Sequence, residues 1–372
     1  MTAEPAAGGP PGARPPLPLP PPPVDDEDVV LHRTLAGIEH RGTVIALGNF
    51  DGVHLGHRAL LARARERADE LGVPLVAVSF FPPAKVLFGD ARFLSSESEK
   101  AALLTEAGAS EVVVIPFDRA FAATPPEAFA DAVAAARPAV VVVGEDFRFG
   151  RDRAGGLDLL RATLPHIEVV PLELTAGEVT KSSLIRAALA AADVERAEQM
   201  LGLPYRVTGL VVRGDQRGRT IGFPTLNVAT DPRKALPIGV FAVVVDTPAG
   251  RCDGVANVGP RPTFPDGAPA LEAHLLDTDL DLYDRRVTVH LLQHLRAPRR
   301  FDGLDALRAQ LAHDAEAARV AIAARRSAPD RRRATGGRFA PDRRESQDGG
   351  HETPDRREPQ ADGHEPPREP QA

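Results

Sequence analysis

A chain of 372 residues, with 43% hydrophobic and 26% charged side chains, has the balance of a globular protein and is long enough for two domains. Its formal net charge of −7 excludes nucleic-acid binding through bulk basicity, and one cysteine, Cys252, excludes an intrachain disulfide framework and metal-knuckle spacing. No window approaches the roughly 20 apolar residues that span a bilayer, so the chain is expected in the cytoplasm with no membrane partner.

Residues 1–28 are Ala, Gly and Pro-rich, with an unbroken run from Pro20 to Pro23, and lack the cationic start and apolar stretch of a secretory signal. Proline fixes φ and removes amide donors, which predicts an extended, unpacked tail. Over residues 29–187, apolar runs at Thr43–Phe50, Leu75–Phe81, Glu111–Phe117, Ala139–Gly144 and Ile167–Leu174 read as strands covered on both faces. Between them Gly56–Leu71, Ser96–Ala107, Pro125–Ala136 and Gly155–Leu164 are long enough for crossover helices, the second opened by a Ser96/Glu99 capping box. This βαβ series predicts a doubly wound parallel sheet that binds ligands at the carboxyl ends of its strands.

A helical connector over 188–202 precedes a change of rhythm. Within 203–326, Tyr205–Arg213, Gly239–Asp246, Arg251–Val258, Leu271–Asp277 and Val287–Leu292 read as strands joined by Gly/Pro-rich loops. That pattern predicts a small antiparallel β-barrel, with Leu304–Ile322 as a C-terminal helix packed on it. Residues 327–372, with the repeat Pro-Asp-Arg-Arg-Glu at 341–345 and 354–358, have almost nothing apolar to bury and are expected to be a disordered charged tail.

The strongest local signal is Gly48-Asn49-Phe50-Asp51-Gly52-Val53-His54-Leu55-Gly56-His57, directly after the first strand. Its glycines allow close backbone approach to phosphates, and the helix that follows offers free N–H groups and a positive dipole end. Imidazoles at His54 and His57 suit hydrogen bonding to an α-phosphate as charge builds during attack. The string resembles the nucleotidyltransferase superfamily, and in its longer form the adenylyltransferase half of bacterial bifunctional riboflavin kinase/FMN adenylyltransferases. Gly144-Glu145-Asp146-Phe147-Arg148-Phe149-Gly150 and Lys181-Ser182-Ser183-Leu184-Ile185-Arg186 match two further strings of that family. The resemblance implies that Gly48, Phe50, Asp51, Gly56, Gly144, Asp146, Ser182 and Ser183 contact nucleotide, with Arg186 neutralising the departing pyrophosphate. Two departures stand out: Phe80-Phe81-Pro82-Pro83-Ala84 replaces the family's Phe-Asp-Pro-His-Pro, and Lys181 replaces its first serine.

In the second half, Gly214 to Asn227 contains a Gly/Pro-shaped loop in which Thr225 and Asn227 offer the hard neutral oxygens that Mg²⁺ accepts beside nucleotide phosphates. It resembles the riboflavin kinase Gly-x-Pro-Thr-x-Asn loop, and Asn257 to Phe264, Leu271 to Asp277 and Asp281-Leu282-Tyr283 continue the resemblance in the family's order. The resemblance implies nucleotide contacts from Gly214, Arg219, Gly222 and Pro224, metal contacts from Thr225 and Asn227, and Glu272 as general base for the ribityl hydroxyl; His274 reads as structural. The implied function is conversion of riboflavin to FMN in the second half and of FMN to FAD in the first, with riboflavin, FMN, ATP and Mg²⁺ as partners and no sign of an oligomer. Two alternatives are a kinase with a degenerate N-terminal module, motivated by Phe81 and Pro83, and a non-catalytic flavin or nucleotide-binding protein.

Overall fold

The computed structural model describes residues 18–21, 29–38, 40–171, 174–175, 178–214, 218, 222–259 and 269–328, and all structural statements concern these. The N-terminal half contains strands β1 (Leu31–His32), β2 (Val44–Leu47), β3 (Leu75–Phe81), β4 (Glu111–Pro116), β5 (Val140–Gly144) and β6 (Ile167–Val170). Helices α1 (Leu55–Leu71), α2 (Ala84–Leu87), α3 (Glu97–Glu106), α4 (Arg119–Ala122), α5 (Pro126–Ala135) and α6 (Leu157–Thr163) alternate with them. The strands form one sheet in the order β1-β4-β3-β2-β5-β6, with every neighbouring pair parallel. The chain winds from β2 outward through β3 to β4, then returns to β5 on the other side of β2. That reversal opens a crevice at the carboxyl ends of β2 and β5, where such sheets bind ligands.

Burial on both faces explains the continuous Val/Ile/Leu runs. Val44 and Ala46 of β2 pack with α1 and α3 on one side, while Ile45 and Leu47 pack with α5 and α6 on the other. The Ser96/Glu99 capping box forms as expected, with Ser96 Oγ accepting from Glu99 N–H and Glu99 accepting from Ser96 N–H; such a cap stabilises a helix by about 1 kcal/mol. Two expected strands are shorter. β2 stops at Leu47 because the backbone turns at Gly48, and β6 stops at Val170, after which β7 (Leu174–Thr175) and β8 (Glu178–Val179) pair as a separate antiparallel hairpin.

Helices α7 (Ser182–Ala190) and α8 (Val194–Leu201) lead into the second half. There β9 (Tyr205–Val212), β10 (Leu226–Ala229), β11 (Gly239–Thr247), β12 (Gly250–Gly259), β13 (Ala270–Leu275) and β14 (Arg286–Arg296) close into an antiparallel barrel. The short β10 lies within the stretch expected to be loop. On β11, Phe241, Val243 and Val245 face the barrel interior, while Val240, Ala242 and Val244 meet Ala318 and Ile322 of helix α9 (Leu304–Ser327) outside. Period-two alternation thus feeds two cores from one strand. The interior core continues into Ile185 and Leu189 of α7, Leu201 of α8 and Leu94 of the sheet half, so the modules share apolar contacts.

The N-terminal tail departs from expectation at residues 18–21. Pro20 is buried, Leu19 packs against the α9 core, and the Arg251 guanidinium donates to the carbonyls of Pro20 (2.5 Å) and Pro21 (3.2 Å). The carbonyls of a proline run lack helix or sheet partners, which makes them ready acceptors for a surface arginine. The charged tail beyond residue 328 lies outside the described residues.

Candidate active sites

At the crevice the chain leaves β2 through a turn that few residues adopt. Phe50, Gly52 and Val53 have φ of 44°, 86° and 42°, and Val53 N–H closes the turn on the Phe50 carbonyl. Left-handed geometry at non-glycine residues costs of order 1 kcal/mol or more, and surrounding structure must hold it. Phe50 and Val53 are fully buried, and a Cβ on Gly48 would stand 2.6 Å from the Phe50 ring. Gly48 is therefore glycine to admit that ring, a different reason from phosphate approach.

His54 is the N-cap of α1, with its Nδ1 accepting the His57 N–H at 3.4 Å. That bond places the proton of the neutral ring on Nε2. The rings of His54 and His57 stack 3.6 Å apart at 17°. Burial lowers the His54 pKa to about 4. Burial also pushes His57 well below its ordinary value, helped by the adjacent His54, Lys100 and Arg58 charges. Both imidazoles are neutral at pH 7, and Nδ1 of His57 is buried without a hydrogen-bond partner among the described residues. Neutral N–H donors at a helix mouth suit a developing phosphoryl charge, since they stabilise it without titrating.

Asp51, expected at the nucleotide, is fully buried and turned inward. Its Oδ1 accepts from Leu94 N–H (2.8 Å) and Ser95 N–H (3.3 Å), and its Oδ2 pairs with Arg186 Nη2 (2.5 Å). Arg186 also donates through Nε to the Arg92 carbonyl (2.6 Å). The guanidinium expected at the pyrophosphate thus also pairs with a carboxylate that burial would otherwise leave uncompensated. Ser182 Oγ donates to the Asp51 carbonyl (3.0 Å), while Ser183 is exposed at the first turn of α7. Gly144 and Asp146 lie at the end of β5, across the crevice from β2, with Asp146 exposed. Gly56 lies in the first turn of α1.

Sequence reasoning missed Lys100. It is buried, and its Nζ donates to the carbonyls of Phe80 (2.6 Å) and Asn49 (2.9 Å) and to Ser79 Oγ (3.2 Å), tying the ends of β2 and β3 together. Burial lowers its pKa to about 8, with Asp51 opposing. Beside those strand ends packs a cluster of rings: Phe80 stands 5.7 Å from Phe121 and 5.9 Å from Phe129, and Phe129 stands 5.2 Å from Phe149, which meets Phe147. The atypical Phe81 packs on Phe93 at 5.2 Å.

On the barrel, Leu271, Ala273 and Leu275 of β13 are buried, and the alternate residues Glu272 and His274 are half-buried on the outer face. Glu272 pairs in register with Asn227 of β10 on one side and Asn257 of β12 on the other. Residues directly opposite share a face, so amide, carboxylate and amide stand in one rank across three strands. Asn257 belongs to a quoted motif but had no assigned role. Thr225 precedes Asn227 by the strand period. The His274 ring bonds the Pro224 carbonyl through Nδ1 (2.7 Å) and meets the Phe223 edge, which pins the loop as its structural reading requires. Gly222 has φ of 84°, and a Cβ on Gly214 would stand 2.4 Å from the Asn227 amide. Arg219 lies outside the described residues. A pocket of about 430 Å³, open mouth included, is bounded by Thr225, Leu275, Asp279, Leu282 and Tyr283. The donor set fits Mg²⁺: a hydroxyl, an amide and a nearby carboxylate are hard oxygens, and Gly214 keeps the space the Asn227 amide fills.

The FAD synthetase family model matches residues 37–183, and the riboflavin kinase model matches residues 201–322. The chain is 41% identical over 299 residues to the bifunctional riboflavin kinase/FMN adenylyltransferase of Pseudomonas fluorescens, covering 77% of this chain and 94% of that one. It is 39% identical over 296 residues to the enzyme of that name from Escherichia coli K12, again covering 77% and 94%. Against the Bacillus subtilis strain 168 enzyme it is 33% identical over 292 residues, covering 75% and 92%. Among solved structures, a macrolide-efflux protein from Streptococcus pneumoniae superposes with a TM-score of 0.69 at 29% identity, covering 78% of this chain and 99% of that one. No helix among the described residues is long and apolar enough to cross a membrane. With two matched halves, in order, and relatives 33–41% identical over more than nine-tenths of their own length, the chain belongs to the bifunctional riboflavin kinase/FMN adenylyltransferase family.

Proposed function

We propose that this chain phosphorylates riboflavin to FMN on the barrel, residues 203–326, and adenylylates FMN to FAD in the sheet crevice, residues 29–187, with ATP as donor in both steps. The observation that carries the two-site reading is the separation of chemistries. Stacked neutral imidazoles cap a helix at the switch point, while a carboxylate flanked by amides lies in rank on a barrel face. Use of ATP in both reactions supports a cytoplasmic location.

In the kinase step the ribityl terminal oxygen attacks the γ-phosphorus, the bond to the β-phosphate oxygen breaks, and ADP leaves. Glu272 takes the hydroxyl proton, a contribution of roughly 10²–10⁴-fold for a positioned base. Thr225 and Asn227 would hold Mg²⁺, which supplies charge neutralisation on the nucleotide phosphates. In the second step a phosphate oxygen of FMN attacks the α-phosphorus of ATP and pyrophosphate leaves. His54 and His57 donate to the α-phosphate oxygens, and the α7 N-terminus at Ser182 and Ser183 receives the departing phosphates. The half-buried rings of Phe80, Phe121 and Phe147 offer aromatic surface for the flat isoalloxazine ring. One assay tests this: purified protein with riboflavin, ATP and Mg²⁺, with FMN and FAD separated by chromatography. Appearance of FMN and then FAD supports both sites, and failure to make either sinks the reading.

A further inference from the structure

We propose that the kinase barrel holds the adenylyl-transfer site in shape and that Lys234, a barrel-side residue, is a positioning residue for FAD formation. The inference rests on the crevice reading above. Its physical carrier is the segment Arg92–Ser95, which runs between the two modules and is bonded to both.

On the crevice side, Asp51 accepts from Leu94 N–H and Ser95 N–H, Arg186 donates to the Arg92 carbonyl, and Ser95 Oγ accepts from Gly52 N–H (3.1 Å). On the barrel side, Phe93 N–H donates to the Arg233 carbonyl and Ala235 N–H to the Phe93 carbonyl, both at 2.9 Å. Lys234 Nζ then donates to the Leu94 carbonyl (2.7 Å), the Arg206 carbonyl (3.0 Å) and Glu99 Oε2 (2.5 Å). The Tyr205 hydroxyl lies 3.0 Å from the Leu94 carbonyl and 2.7 Å from that of Ala235. Leu94 is thus held through its N–H by the adenylyl turn and through its carbonyl by the barrel.

Lys234 and Glu99 are 2% and 3% exposed. Glu99 is the capping residue of α3, and its Oε1 also accepts from Thr208 N–H on β9 (2.6 Å). A buried ammonium that closes three oxygens is costly to lose, so the barrel fixes the segment from the side opposite the crevice. Asp51 stands three residues before His54 in a left-handed turn with no slack. Movement of the segment is therefore passed to the turn before the imidazoles through the Asp51 carboxylate and the Gly52–Ser95 bond.

The test uses full-length protein and reads both reactions in each preparation. Lys234→Met keeps the stem and removes the ammonium. It is expected to lower kcat for FAD formation at least about tenfold, the scale on which a small displacement of reacting groups acts, with little change in KM for FMN and unchanged riboflavin phosphorylation. Because that variant strands Glu99, the neutralised pair Lys234→Met/Glu99→Gln and the milder Tyr205→Phe are measured beside it, and the same selective loss is expected in graded form. Wild-type FAD formation in all three, with His57→Ala inactive, overturns the inference and leaves the crevice reading standing. Parallel loss of both activities with melting temperature also overturns it, since the contacts would then serve stability alone. A wild type that makes FMN but no FAD removes the crevice reading itself, and the inference with it.

Discussion

The two candidate sites are of opposite construction. In the sheet module the site is the fold: Phe50, Asp51 and Val53 are fully buried, His54 nearly so, and each holds the next in a turn of unusual φ. In the barrel, packing and chemistry are separated by strand alternation, with Leu271 and Ala273 inward and Glu272 outward beside Asn227 and Asn257. Changes on the barrel face should alter chemistry without stability, whereas changes in the crevice should alter both.

Glu272→Gln sharpens this contrast most. FMN formation should fall by roughly 10²–10⁴-fold, with the melting temperature and FMN-to-FAD conversion unchanged in the same sample. His57→Ala should lower FAD formation by about 10²-fold, on the scale of losing one transition-state donor, while riboflavin phosphorylation continues at the wild-type rate. If the two variants failed to separate the activities, the two-site account would be wrong.

Acid provides a stability test of the crevice. His54 titrates near 6.5 when unfolded and at about 4 when folded, so between those values the unfolded chain holds more protons. Stability from this residue is complete above 6.5 and is lost as pH falls to 4, on the order of 3 kcal/mol. His290, whose pKa burial also lowers in the barrel, adds the same sign. Thermal melts between pH 7 and 5 should therefore show a slope that His54→Gln reduces; an unchanged slope would remove His54 from the account. The smallest expected effect is Gly48→Ala, whose Cβ would crowd the Phe50 ring. It should cost about 1–3 kcal/mol by overpacking, read as a lower melting temperature with weakened FAD formation and intact kinase turnover.

Much of this was legible in the sequence because its signals are local. Apolar runs marked five of the six strands of the sheet, all but the two-residue β1, Ser96 and Glu99 marked a helix start, and the Gly48–His57 string marked the crevice. What could not be read depends on residues distant in the chain. Lys100 and Lys234 look like surface charges and Asp51 like a nucleotide contact, yet their partners lie up to 140 residues away and only the tertiary fold buries them. The Arg186–Asp51 pair is equally hidden, because the two residues stand 135 apart in the chain. Strand β10 escaped notice because a four-residue strand behind a Gly/Pro loop has no periodicity to display, and only Val228 in it is buried.

Closure of the barrel also sets a timetable. β9 pairs with β10 on one side and with β14 on the other, so the barrel cannot close until Arg286–Arg296 has been made, whereas the last strand of the sheet ends at Val170. During synthesis from the N-terminus, the half that performs the second reaction assembles first, and the half that supplies its substrate is finished only as the final strand leaves the ribosome. Birth order in this chain runs against metabolic order.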